Sequence, residues 1–465
     1  MLNADQPRDD SVRKRGSRRK SSRNRRAEHI LIVTYLYAPC DAINVRRPLG
    51  LRRAFESAGV RTTVLTSKIS GSADDDEAQR IFRTGDLRTR FQTQYQALVG
   101  YSSEPIEARA KPRWWTNYIV PDVAAVSWFP TALWRLLKLI RSDRPDAIVT
   151  TSPLESSHLL GLVARAFGIR WIADFRDGWM YDSPHPRPAL RRLDGMLERL
   201  VVRRADAVTA VNEQLTSDFK QRRGVPAVHI SNGFDRKAVD GAADERATLD
   251  PNRFSLVYTG TFGIDLPERA IRGQRSDARL FLDALKLLLE QEPRLRSSFE
   301  LVIAGVISDS ERKSLTRGVL GEVVRVLGRL PHTRALGLQQ AAGGLLLIPG
   351  GAGATTGKIF EYLAAKKPVF AVTQPRSAAA VLLSGAGAHT IAPPTNPQEL
   401  AQALRLFLTR WAETGDRFEP RAEFDLSGYE YGSIGRRMLD LIASAGSTAV
   451  RASTPESERS GTPSE

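Results

Sequence analysis

Short runs of β-branched and apolar residues alternate with amphipathic stretches along most of the chain, and the alternation stops once, between Asp240 and Arg253. Runs of this kind suit a parallel sheet covered on both faces by helices. In the first half the pattern predicts strands at His29–Leu36, Thr62–Thr66, Ala147–Thr151, Arg170–Phe175, Ala207–Val211 and Ala227–Ser231. Helices fit between them at Arg46–Ala58, Pro130–Arg141, His158–Ala166, Arg191–Ala205 and Asn212–Gln221. The second half predicts strands at Phe254–Tyr258, Glu300–Ala304, Val323–Leu327, Gly344–Ile348 and Pro368–Val372. Its helices fall at Ala278–Gln291, Asp309–Arg317, Thr333–Ala342, Gly357–Ala365, Ala378–Gly385 and Pro397–Arg410. The expected architecture is α/β: two doubly wound Rossmann-like domains facing a central cleft, at 27–240 and 254–423, joined by a polar linker at 241–253. In such sheets ligands bind beyond the carboxyl ends of the strands.

Charge and composition narrow the function. The chain has 465 residues, of which 42% are apolar and 26% charged, which excludes fibrous and wholly disordered classes. The net charge is +16, but residues 1–26 alone hold ten Lys/Arg against three Asp. That head, 1–26, is too polar and too charged to fold by itself, and 446–465 has the Ser/Thr/Pro character of a disordered tail. A single cysteine, Cys40, excludes an internal disulfide or a Cys-based zinc site and fits a cytoplasmic protein. Ile30 to Cys40 has the outline of a signal peptide before a lipidated Cys. Pro39 stands where a small residue is required, so the run is a buried first strand. No run reaches the roughly 18 apolar residues that a membrane span needs.

The chemistry gathers behind strand ends. Gly350 to Gly357, followed by Lys358-Ile359-Phe360-Glu361, is a glycine-rich loop opening a helix. Free backbone N–H groups and the positive helix end there suit a phosphate, which glycines let approach closely. A P-loop is excluded, because Ala352 and Ile359 stand where that motif needs Gly and Ser or Thr. Glu361, one turn in, is placed to accept hydrogen bonds from a ribose diol; the alternative is a capped helix with Glu361 solvated. In the first half, Asp174-Phe175-Arg176-Asp177-Gly178-Trp179 follows a strand directly. Asp174 and Asp177 can bracket Arg176 and aim its fork at the cleft, or merely fix the loop. His158 opens a helix behind another strand, as a polar contact or base or as a structural group. Arg46 and Arg47, in the loop after the first strand, lie near the same cleft or serve as surface charge. Asp74-Asp75-Asp76 has the spacing of a Mn²⁺ motif but no strand before it, and reads as a solvated acidic loop. No other set has metal-ligand spacing.

The order and spacing of these motifs resemble glycosyltransferase family 4, of the GT-B fold. The Asp174–Trp179 block carries the resemblance together with Arg204–Asn212, Ile230–Asp235, Val257–Thr261 and Gly357–Ala364 ahead of Lys367-Pro368-Val369. The resemblance implies transfer of a sugar from a nucleotide-sugar donor with retention and without a metal or other cofactor. It places the donor against Gly260, Thr261, Gly353, Thr356, Gly357, Lys358 and Glu361. His158, Asp174 and Arg176 become catalytic candidates, with Arg46, Asp177 and Trp179 on the acceptor side. Gly353 stands where the family often has a second Glu, and Gly178 where it has Pro. Arg269, Arg272, Arg275 and Arg329 are the cations available to neutralise a diphosphate. The fold also implies that 424–445 crosses back as a helix onto the first domain.

The expected function is hexosyl transfer to a glycan or lipid-linked acceptor in the synthesis of cell-surface polysaccharide or glycoconjugate. The alternatives are a nucleotide-sugar epimerase of the same fold class and a non-catalytic binder of anionic polymer. No nucleic-acid motif is present. The basic head, with Trp114, Trp115, Tyr118, Ile119, Trp128, Phe129 and Trp134, also suits a peripheral position on an anionic membrane, at the inner face of the plasma membrane.

Overall fold

The computed structural model describes residues 27–40, 43–71, 76–86, 118–182, 187–264, 276–349, 356–387, 389–414, 421 and 423–445. The head, the tail, Asp74, Asp75, Trp114, Trp115, Arg269, Arg272, Arg275 and Gly353 lie outside these residues.

The chain forms two wholly parallel sheets. The first holds β1 (His29–Val33), β2 (Arg61–Ser67), β3 (Ile81–Thr84), β4 (Ala147–Thr151), β5 (Arg170–Phe175), β6 (Ala207–Ala210) and β7 (Val228–His229). Its order is β3-β2-β1-β4-β5-β6-β7. The second holds β8 (Phe254–Thr259), β9 (Phe299–Ala304), β10 (Val324–Gly328), β11 (Gly344–Leu347), β12 (Val369–Val372) and β13 (Thr390–Ala392), ordered β10-β9-β8-β11-β12-β13. In each sheet the order reverses beside the first strand, between β1 and β4 and between β8 and β11. That reversal opens a crevice at the strand ends.

Alternate residues of each strand feed opposite cores, as the strand period of two requires. Leu31 and Val33 face helices α2 (Phe129–Ser142), α3 (Ser156–Ala166) and α4 (Pro188–Arg204). Ile30 and Ile32 face α1 (Ile43–Ser57) on the other side. In the second sheet Leu256 and Leu301 pack with α5 (Asp277–Gln291) and α9 (Pro397–Thr414). Val257 and Val302 pack with α6 (His332–Ala341), α7 (Lys358–Ala364) and α8 (Ala378–Ala386). The last helix, α10 (Tyr431–Ser444), lies on α1, where Ile434, Met438 and Ile442 complete the first domain's core.

The chain passes between domains twice, and the two passages meet. The N–H of Phe234 donates to the Tyr429 carbonyl at 3.0 Å, and the N–H of Tyr431 donates to the Phe234 carbonyl at 3.0 Å. Gly233 permits this approach, since a Cβ there would sit 2.1 Å from the Tyr429 oxygen.

Two expectations need correction. The stretch 241–253 is not a free linker. Leu249 enters the second core, Glu245 pairs with Arg334 on α6 at 2.5 Å, and the Ala243 N–H donates to the Thr333 carbonyl. The Asp76 end of the acidic run is not solvated: its carboxylate pairs with the buried Arg83 of β3. Among the described residues no group of three His, Cys, Asp or Glu is placed to hold a metal, and no helix is long and apolar enough to cross a membrane.

Candidate active site

The first domain's side of the crevice is held by a buried ion pair. Asp174 sits in register between Thr151 of β4 and Thr209 of β6, and both hydroxyls donate to it, at 2.7 and 2.6 Å. Arg47 reaches down from α1 and closes the arrangement with two parallel bonds, 2.8 and 2.7 Å. Its remaining donors go to the carbonyls of Ser231 and Ile230 at 2.6 and 3.0 Å. Burial alone would raise the Asp174 carboxyl, but the adjacent guanidinium more than reverses this and holds it below the ordinary carboxylate value. Arg47 is therefore neither surface charge nor a cleft cation.

Four expectations for catalytic or acceptor-side residues change in the same way. Asp174 cannot touch a ligand, because all of it is enclosed. It pairs with Arg47, whereas Arg176 donates to the Asn44 and Ser152 carbonyls at 2.6 and 3.3 Å and so ties β5 to the start of α1. Trp179 is buried, its indole N–H donating to Asp194 at 2.6 Å. His158 is also enclosed, against Phe175 at 4.3 Å between ring centres. The Thr150 hydroxyl accepts from the Trp171 indole at 2.9 Å and shares a hydrogen bond of 2.8 Å with His158 Nδ1. His158 Nε2 lies 3.5 Å from a Glu155 carboxyl oxygen. Burial pushes His158 down to about 3 and, with nearby carboxylates, lifts Glu155 well above its usual range. An imidazole this fully enclosed cannot reach a ligand in the crevice, so His158 does not serve as a base there. Asp177 is exposed at the loop's tip.

The open part of the crevice is a cavity of ≈ 360 Å³. Ile43 and Arg46 line it from the first domain. Gly260, Thr261, Arg329, His332, Thr356, Lys358 and Glu361 line it from the second. β8 and β11, the strands at the order reversal, deliver the two loops that matter. Gly260 follows β8 at φ +110°, a conformation that L side chains rarely adopt. A Cβ there would sit 2.8 Å from Lys358 Nζ. Behind it, a Cβ on Gly305 would lie 1.9 Å from the Gly260 oxygen. The backbone after β8 is thus wedged between the backbone after β9 and the ammonium of Lys358. That ammonium is also held by the Tyr258 hydroxyl at 3.2 Å and lies 4.5 Å from the Tyr258 ring centre. Gly357 opens α7 against Ile43 of the facing domain.

Glu361, on α7, turns its carboxylate into the cavity, and Oε1 is 2.9 Å from His332 Nε2. Among the described residues Oε2 has no hydrogen-bond partner. Gln339 donates to Thr259 at 3.0 Å and presents a buried Oε1 that has none. A second hollow of ≈ 370 Å³ shares Arg46, His332 and Glu361 and adds Asp235 and Tyr431. The sequence reading passed over His332 and Gln339. Neither sits in a glycine-rich or charged motif, and the only signal for His332 was its place between a strand and a helix. The structure thus gathers Gly260, Thr261, Thr356, Lys358, Glu361 and Arg46 around one space, with Gly357 packed beside it on Ile43, and it withdraws His158, Asp174 and Trp179 from it.

Two Rossmann-like domains facing one crevice, with a cationic and carboxylate-bearing second domain, are the GT-B arrangement. A glycosyl transferase 4-like domain matches residues 45–233, and a glycosyl transferases group 1 domain matches residues 271–410. The chain belongs to the GT-B glycosyltransferases and is a transferase of that class. Among solved structures it is similar to the α,α-trehalose 6-phosphate synthase of Burkholderia multivorans, with a TM-score of 0.55 and 15% identity over 94% of this chain and 100% of that one. It is also similar to the UDP-GlcNAc 2-epimerase of Neisseria meningitidis bound to UDP-GlcNAc (TM-score 0.52, 14% identity, 89% and 99% covered). A glycosyltransferase from Rickettsia africae gives TM-score 0.52 and 12% identity over 89% and 95%. At these identities the likeness is one of fold. No curated protein matches the sequence.

Proposed function

We propose that the protein transfers a sugar from a nucleoside-diphosphate sugar to a hydroxyl of a glycan or lipid-linked acceptor, with retention and without a bound metal. This would serve the synthesis of cell-surface polysaccharide or glycoconjugate. The observation that carries the reading is the cavity in which Lys358 abuts Gly260 while Glu361, paired with His332, lines the same space. The diphosphate would lie along the Gly260–Thr261 backbone, facing Lys358 and Arg329. Glu361 Oε2 would accept from the ribose hydroxyls, its geometry fixed by His332. The cations already present supply the positive charge that a metal provides elsewhere. Arg46 faces the donor from the acceptor's domain. The acceptor oxygen bonds to the sugar as the donor C–O bond breaks, the nucleoside diphosphate leaves with the electron pair of that bond, and the acceptor's proton passes to the departing phosphate oxygen. Retention rests on the likeness of the Asp174–Trp179 and Gly357–Ala364 motifs to family 4.

Binding of a panel of nucleotide sugars tests the donor site, with Glu361→Ala as the variant. The expected loss is about 1.5–3 kcal/mol, the scale of hydrogen bonds to a charged group. A variant that binds donor like the parent overturns the assignment. The neighbouring epimerase fold makes a second measurement informative: release of nucleoside diphosphate should require acceptor, and release without it would favour chemistry on the donor alone.

A further inference from the structure

Helix α4 is amphipathic in the wrong sense for a soluble surface. Its two acidic residues, Asp194 and Glu198, point inward and are buried. They hold the Trp179 indole, the Met180 N–H, Arg222 and Arg223. Outward it shows only arginines and apolar residues. Leu193, Met196 and Leu200, spaced i, i+3 and i+7, are 45%, 67% and 38% exposed. Arg192, Arg199 and Arg203 run down one flank of that stripe at helical spacing, and Arg191 and Arg204 are exposed near its ends. Among the described residues none of these five guanidiniums has an ion-pair partner. Beside Met196 a hollow of ≈ 470 Å³ takes in Arg191, Arg192 and Arg199. Beyond α3, on the same face of the first sheet, α2 presents Trp134 at 65% exposure with Lys138 Nζ 5.7 Å from its ring centre.

We propose that the outer face of α4, together with Trp134 of α2, docks on an anionic lipid surface, with the arginines at the phosphates and the Leu193–Met196–Leu200 stripe at the acyl boundary. A soluble polyanion would engage the arginines and leave the apolar stripe in water, and an apolar protein partner would bury guanidiniums that have no counter-charge. A lipid interface accommodates both, because long basic side chains reach the headgroups while their apolar neighbours enter below them. Since the inner face of α4 holds Trp179 and Met180, docking would also fix the loop after β5 relative to the membrane.

The test uses the full chain carrying Cys40→Ser and Met196→Cys, labelled with a polarity-sensitive fluorophore. A parallel chain carries Leu406→Cys on α9, equally exposed in the second domain. Vesicles of phosphatidylcholine are compared with vesicles containing about 30% phosphatidylglycerol, because surface attraction requires anionic lipid. The expected result is a blue shift at position 196 only, with anionic vesicles only, fading as salt rises. Adding Arg192→Gln, Arg199→Gln and Arg203→Gln should weaken vesicle binding on the order of 100-fold, with the melting temperature kept. Three results overturn the proposal: vesicle binding with no shift at 196, an equal shift at 406, or a triple variant that binds like its parent. The first would leave the basic head as the sole contact.

Discussion

Removing the Asp174 carboxylate separates a structural role from a catalytic one. In Asp174→Ala the Arg47 guanidinium stays fully buried, with two carbonyl partners and no counter-charge. Breaking a buried pair by deleting one partner costs about 3–5 kcal/mol. The Thr151 and Thr209 hydroxyls also lose their acceptor, at about 1 kcal/mol each. A total of roughly 5–7 kcal/mol is a large part of a domain's stability. For a domain of this size it should lower the melting temperature by roughly 10–30 °C. Tryptophan emission during urea or thermal unfolding reads this directly. Trp128, Trp134, Trp171 and Trp179 report on the first domain, and among the described residues only Trp411 reports on the second. Pairing Asp174→Ala with Arg47→Met removes the stranded charge, so the double variant should recover part of the loss, a coupling measurable in a double-mutant cycle. Should Asp174→Ala melt like the parent while turnover collapses, the enclosed ion-pair account fails and Asp174 must contact substrate.

Three further outcomes are expected. Gly305→Ala, whose new methyl would meet the Gly260 carbonyl, should weaken donor binding by at least about tenfold with the global fold kept, and donor titration against a matched thermal melt decides it. His389 is pushed down to about 4 by burial while its Nδ1 accepts from the Val369 N–H. The unfolded chain therefore binds this proton first, and stability present above about pH 6.5 is lost as pH falls toward 4, about 2 kcal/mol by pH 5; His389→Gln should flatten that slope in acid melts. Sugar transfer should survive EDTA, and loss restored by added Mn²⁺ would count against a diphosphate held by Lys358, Arg329 and backbone N–H groups alone.

The strands were legible because a parallel sheet buries both faces, and runs such as Gly344–Leu347 and Val369–Val372 carry little else than apolar residues. β3 and β13 escaped notice because edge strands are short and mixed: Ile81–Thr84 contains Arg83, and Thr390–Ala392 is three residues long. Lys358 and Glu361 announced themselves through the glycine-rich loop ahead of a helix. His158, Asp174 and Trp179 were drawn toward the cleft for a reason sequence cannot resolve. Charge after a strand end signals function or a buried polar network equally, and only the partner distinguishes them. That partner, Arg47, stands 127 residues from Asp174 and looks in sequence like one more basic residue on a helix.

The ladder between Phe234 and the 429–431 segment bears on how the enzyme can move. A single strand between two bodies is a swivel, free to twist as well as bend. Two strands hydrogen-bonded side by side, with Gly233 admitting the second against the first, form a flat two-ply strap. A strap flexes easily across its plane and resists torsion, so opening and closing of the crevice should follow one axis. Arg46 would then return to the same place above Lys358 and Glu361 at each closure, and the register of acceptor against donor would be kept by the joint and not sought anew in each cycle.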